Sequence, residues 1–273
     1  MGRYFSDAVD QALEDIYYCY DARRAAAAIQ PLTDAAAAGD GDASYLLFRC
    51  ASGPDYSWDY HPFQANEDAA FRFLRSSVFQ GSAMGVLGAI RSGLLTPELE
   101  EAMRARFASL KDAWNAVYEK AQAGCLFAMN MIGSSYYWLD ILRIEEKKAG
   151  DFPSQEEFDA YLRENILKSA PWFERAFRGG MGVAGRNWYN LYHQGQEGLL
   201  PPDRKKAEGS PGWAPNWVIP TGRRCMATGS RTSRAGGNRR RSCSGPPPDR
   251  ASSALGFTWG CSITRGNLFP RTG

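Results

Sequence analysis

The chain has 273 residues, of which 44% are hydrophobic and 23% charged, so it carries ample apolar material for a sizeable core. Its formal net charge of +2 conceals two opposite parts: residues 208–273 hold ten Arg, no Lys and two acids, Glu208 and Asp249, which leaves residues 1–207 acidic. No run approaches the roughly eighteen apolar residues of a membrane-spanning helix, and Met1–Asp7 leads into an acidic helical stretch without an apolar leader, so the expected location is cytoplasmic.

In chain order, residues 1–20 read as an N-terminal helix. From residue 21 to 207 the chain is rich in Ala and other helix formers and poor in β-branched residues, which predicts an all-α body. Four glycines punctuate it. Gly39, Gly81, Gly124 and Gly180 are separated by 42, 43 and 56 residues, each spacing long enough for a helical hairpin. Eleven residues before each stands Ala28, Ala70, Ala113 or Ser169, and four after each stands Ala43, Gly85, Ala128 or Ala184. Three before come Ala36, Val78, Ala121 and Phe177; eight after come Leu47, Ala89, Ile132 and Trp188. A glycine that turns left-handed ends one helix, and small neighbours let the next pack closely. Further helix starts are predicted at Thr96-Pro97-Glu98, with proline in the first turn, and at the capping box Ser154-Gln-Glu-Glu157.

These residues resemble the Sel-one-like repeat branch of the tetratricopeptide superfamily. Its first helix, Ala-x-x-x-Leu-Gly-x-x-Tyr, is matched by Ala128-Met-Asn-Met-Ile132-Gly133-Ser-Ser-Tyr136, by Ala184 to Gly195, and by Ala83-Met-Gly-Val-Leu87-Gly88, which sits two residues early. Its second helix is matched by Ala70-Phe-Arg-Phe73 running to Gly81 and by Trp172-Phe-Glu-Arg-Ala176-Phe177 running to Gly180. The resemblance implies a right-handed α-solenoid of about four antiparallel hairpins over residues 21–207. Departures are a longer period, Pro31 and Ala116 where the second-helix aromatic belongs, and two enlarged loops. One of these, residues 52–63, is dense in aromatics (Tyr56, Trp58, Tyr60, Phe63) with His61, and is a candidate interface or an end cap. The other spans residues 145–153.

Asp203-Arg-Lys-Lys-Ala207 reads as the opening of one more second helix, after which the composition changes at once. Residues 208–273 carry eleven Gly, seven Pro and three of the six Cys, with no helical or strand periodicity, and disorder is expected. Three readings fit this tail: a basic nucleic-acid-binding segment centred on Arg239-Arg240-Arg241, an inert extension, or an out-of-frame translation of a GC-rich gene.

Nothing in the motifs advertises catalysis. The two histidines, His61 and His193, offer little for a triad or a metal centre, and no nucleophile elbow, zinc-protease helix or phosphate loop occurs. Cysteines at 19, 50, 125, 225, 243 and 261 form no Cys-x-x-Cys pair and read as reduced structural thiols. The expectation is a non-enzyme without cofactor or metal. In the resembled proteins the first helices line a concave groove, and helical geometry places positions six, ten and thirteen after each anchor glycine opposite the packing face. The resulting candidate partner-binding residues are Tyr45, Arg49, Arg91, Asn130, Tyr137, Arg186, Asn190 and His193. The expected function is a scaffold or adaptor holding a partner protein or peptide; nucleic-acid binding by the tail is the alternative.

Overall fold

A computed structural model of the chain describes residues 3–19, 21–53 and 63–209. The aromatic cluster Tyr56 to His61 and the Arg239–Arg241 segment lie outside the described residues. Every described residue belongs to one compact unit.

Among the described residues the fold is all-helical. The N-terminal helix α1 (Asp7–Leu13) starts on Ser6, whose hydroxyl accepts from the Val9 N–H, and widens into a π-helical turn over Glu14–Tyr18 closed by the Cys19 N–H to Glu14 O bond of 2.9 Å. Next come α2 (Ala22–Ala27) and α3 (Ile29–Ala37), separated at Ala28. The break has a local cause: Pro31 has no N–H to give and its ring opposes the carbonyl four residues back. Proline is thus accommodated in the first turn of a new helix.

The four anchor glycines all end helices in the same way. Gly39, Gly81, Gly124 and Gly180 have φ of 95°, 78°, 107° and 111°. At the first, Gly39 N–H donates to Ala36 O (3.1 Å) and Asp40 N–H to Ala35 O (3.0 Å); at the third, Gly124 N–H donates to Ala121 O (3.1 Å) and Cys125 N–H to Lys120 O (3.0 Å). Gly81 with Ser82, and Gly180 with Met181, repeat this pair of bonds. Each is a Schellman turn, which satisfies the last carbonyls of one helix and sends the chain straight into the next. The turns therefore join α3 to α4 (Gly41–Ala51), α5 (Glu67–Phe79) to α6 (Ala83–Arg91), α8 (Leu110–Gln122) to α9 (Leu126–Tyr137), and α11 (Gln155–Arg178) to α12 (Gly182–His193). Within each pair the two helices pack on one another, and α4 packs on α5, α6 on α8, and α9 on α11. All sixteen flanking positions read from the repeat are buried.

Close approach between hairpins rests on two glycines of the first helices. A Cβ on Gly88 would stand 2.5 Å from Tyr45 Cε2, and one on Gly133 would stand 2.8 Å from two atoms of the Phe173 ring. An aromatic ring from a neighbouring helix occupies the space each missing side chain leaves.

Shorter helices fill the longer connections. Between the second and third hairpins lies α7 (Pro97–Arg104), capped by Thr96, whose hydroxyl accepts from Leu99 N–H; its Leu99 and Met103 are buried and it packs on α5. Just before the enlarged loop the chain forms α10 (Ile141–Ile144), and within it a single 3₁₀ turn, Ala149–Asp151, before Ser154 accepts from Glu157 N–H and opens α11. The predicted last opening is present as well: Asp203 accepts from Lys206 N–H at the start of α13 (Arg204–Gly209), and Ala207 is buried.

Candidate functional site

The predicted partner face is built from the first helices α4, α6, α9 and α12, and the structure divides it into a part turned inward and a part turned outward. On α4, Tyr45 is buried, its ring edge-on to Phe127 of α9 at 6.3 Å, and the Arg49 guanidinium lies over the same Phe127 ring at 5.9 Å. Tyr17, from the π-helical turn, completes the cluster with its ring 4.9 Å from Phe127. Burial raises the Tyr17 hydroxyl above its ordinary value, with Arg49 opposing the rise, so the phenol stays neutral.

The N-terminal segment is thus the neighbour of this face. Val9, Ala12, Leu13, Ile16 and Tyr17 are buried, the apolar stripe of one helical side. The segment packs on α3 and α4 and, through its π-helical turn, on α12. Polar bonds fix its register. Tyr4 Oη donates to Ala123 O at 3.0 Å, Lys120 Nζ donates to Tyr4 O, and Phe127 N–H donates to Tyr18 Oη at 3.1 Å. Tyr45 and Arg49, which helical geometry alone turned toward a partner, meet the Phe127 ring instead, which Tyr17 of the N-terminal segment also contacts.

Arg91 and Tyr137 are likewise engaged internally. Arg91 Nε donates to Asp140 Oδ1 (3.1 Å) and Oδ2 (2.9 Å), and its Nη2 donates to Asp140 and to Ser134 O. This clamp holds the corner between α9 and α10, where Leu139 takes a positive φ of 61°. Asp140 is buried enough that its carboxyl is raised, desolvation outweighing the opposing pull of Arg91. Tyr137 is buried between Trp138 (4.8 Å) and Phe173 (6.2 Å). Asn130 is buried and accepts from Asn187 Nδ2 at 3.0 Å, which ties α9 to α12.

The outward part is on α12. Gly182, Ala184, Gly185, Trp188 and Leu191 are buried, with Gly185 against the Phe177 ring and Phe177 6.5 Å from Trp188. Half a turn around the helix stand Arg186 and His193, both exposed, and Asn190, half-buried. They share this side with Tyr189, which the sequence reading passed over; its ring stacks on His193 at 4.7 Å and 21°. The spacing 186, 189, 190, 193 is a helical stripe, and that periodicity is the signal by which Tyr189 could have been found. A planar guanidinium, an amide and two stacked rings on a helix pinned from behind form a rigid polar-aromatic surface, the kind enriched at binding interfaces.

Other chemistry has less material. Burial pushes the Cys50 thiol up to about 12 and the Cys125 thiol up to about 11, so neither is a nucleophile at neutral pH. Among the described residues there is no group of three or more His, Cys, Asp or Glu side chains able to hold a metal ion, and no helix long and apolar enough to cross a membrane.

In comparisons with known proteins the chain matches no family model, no curated protein and no solved structure.

Proposed function

We propose that the chain is a protein-binding scaffold: a right-handed α-solenoid of Sel-one-like hairpins that holds a partner protein or peptide on the outer side of α12. The observation that carries this reading is the stripe Arg186, Tyr189, Asn190 and His193, exposed at its two ends and half-buried at Tyr189 and Asn190, set opposite the buried Ala184, Gly185, Trp188 and Leu191. A helix fixed by Ala184, Trp188 and Leu191 presents those four side chains with little freedom left to lose, which favours specific contact. Tyr45, Asn130 and Tyr137 are buried, which leaves α12 as the first helix whose expected contact residues reach solvent most fully. No cofactor enters the reading.

Quantitative affinity purification from the source cells tests it, comparing wild type with the triple variant Arg186→Glu, Tyr189→Ala, His193→Ala. Because all three side chains stand away from the buried side of α12, the variant keeps the wild-type helical circular dichroism. Interface anchors of this type lose more than about tenfold in affinity on truncation, so specific partners drop out of the variant's list. Identical lists refute the α12 surface.

A further inference from the structure

A second surface has a different chemistry. Among the described residues four large hydrophobic side chains are conspicuously exposed, and two of them, Phe71 (45%) and Phe79 (50%), lie on α5. The buried side of that helix is Ala70, Leu74, Ser77 and Val78. At about 100° per residue, Phe71, Arg75, Phe79 and Arg72 together sweep about 100° of the remaining surface, starting beside the Val78 edge of the buried side. The Arg75 guanidinium covers the Phe79 ring at 4.7 Å and is held there by Glu98 of α7. Beyond Phe79, the aliphatic stem of Arg106 lies against Gly81, where a Cβ would stand 3.4 Å from Arg106 Cγ. Neither Arg72 nor Arg106 has an ion-pair partner among the described residues, and both are exposed.

We infer that the outer face of α5 docks an acidic amphipathic helix of another protein. Two phenyl rings eight residues apart are separated by about 12 Å along the axis, which is two helical turns plus a fraction. A helix laid along α5 meets both with side chains seven or eight residues apart, the usual anchor spacing of helix recognition. Its charge is set by the cations beside the rings. Arg72 stands beside Phe71 at nearly the same angle around α5 as Phe79, and Arg106 closes the C-terminal end, so carboxylates on the partner flanking its apolar stripe complete pairs that the described residues leave open. Arg75, lying over the Phe79 ring, offers a guanidinium already ordered by Glu98, which lowers the ordering cost of docking. A basic partner would set like charges against Arg72 and Arg106.

Fluorescence anisotropy with three labelled eighteen-residue peptides tests this against the full chain. One peptide carries a Leu stripe flanked by Glu, the second replaces every Glu by Lys, and the third scrambles the first so that no stripe forms. The acidic striped peptide is expected to bind at least about tenfold more tightly than either other. Phe71→Ala with Phe79→Ala is expected to weaken it about tenfold or more, and Arg72→Glu with Arg106→Glu to weaken it and flatten its salt dependence. These exposed substitutions leave the circular dichroism unchanged. Equal binding of all three peptides, no binding of the acidic one, or indifference to the phenylalanine pair overturns the inference. Concentration-dependent self-association abolished by the same pair also overturns it, because a second copy is then the occupant.

Discussion

Replacing Arg91 by Ala separates a structural role from a binding role. In the folded chain the guanidinium makes a forked contact with Asp140 and a further bond to Ser134 O, and the two side chains are only 20% and 10% exposed. The substitution leaves a carboxylate and a main-chain carbonyl in low dielectric without their donor. Breaking such a pair costs about 3–5 kcal/mol, and the residual exposure of Arg91 puts the expectation near about 3 kcal/mol. For a body of this size that corresponds to a drop in Tm of roughly 6–12 °C. Urea denaturation followed by circular dichroism reads the loss directly. Asp140→Asn placed on top of Arg91→Ala removes the stranded charge and is expected to recover about half of it, giving a coupling above about 1 kcal/mol in the double-mutant cycle. The pH dependence has a definite sign. Burial already raises the Asp140 carboxyl, and without Arg91 nothing opposes that rise. A carboxyl with a raised folded-state value binds protons more readily folded than unfolded, so stability improves as pH falls toward the ordinary carboxylate range. The deficit of Arg91→Ala is therefore smaller at pH 5 than at pH 7.5. A loss under about 1 kcal/mol, or an equal deficit at both pH values, refutes the clamp.

Further consequences are independent of that one. Tyr17→Ala removes a buried ring from the cluster with Phe127 and should cost about 3–5 kcal/mol in the same denaturation assay, whereas a loosely attached N-terminal arm would lose almost nothing. Gly133→Ala drives a methyl group to within 2.8 Å of the Phe173 ring and is expected to cost about 1–3 kcal/mol, while Gly150→Ala, with no atom within 4 Å of its Cβ, stays within about 0.5 kcal/mol of wild type. Asp42, half-buried beside Ser82, has its carboxyl raised by desolvation, with the Ser82 hydroxyl opposing; Asp42→Asn should therefore flatten the fall in stability, read by urea denaturation, as pH rises from 3.8 to the raised value.

The features legible in the sequence are those with a local chemical cause. A left-handed glycine at the end of an Ala-rich stretch forces a turn whatever lies around it, so Gly39, Gly81, Gly124 and Gly180 marked the four hairpins, and the small and apolar residues at fixed distances from them marked the core. Pro97 after Thr96, and Ser154 before Glu157, marked helix starts for the same reason. Long-range neighbours left no such trace. Tyr45 and Arg49 stand opposite their helix's packing residues, yet both meet the Phe127 ring that Tyr17 also contacts, and no spacing in the chain encodes that Tyr18 meets an amide 109 residues away. Arg91 looked like a surface cation until Asp140, 49 residues on, was placed beside it. On α12 the outward position of Arg186 and His193 coincides with actual exposure, while Asn190 between them is half-buried. Helical periodicity names the side of a helix; the tertiary fold decides whether that side meets solvent or another segment of the chain.

The central claim, that partners meet α12 while the chain's own N-terminus occupies the face of α4, is tested most directly by photo-crosslinking. A benzoyl-phenylalanine is placed at position 189 in one variant and at position 49 in another, and both are irradiated in source-cell extract. The account predicts a discrete intermolecular product from position 189, abolished by Arg186→Glu, and only an internal crosslink to residues of the N-terminal segment from position 49. Intermolecular products from position 49 with none from position 189 would contradict it.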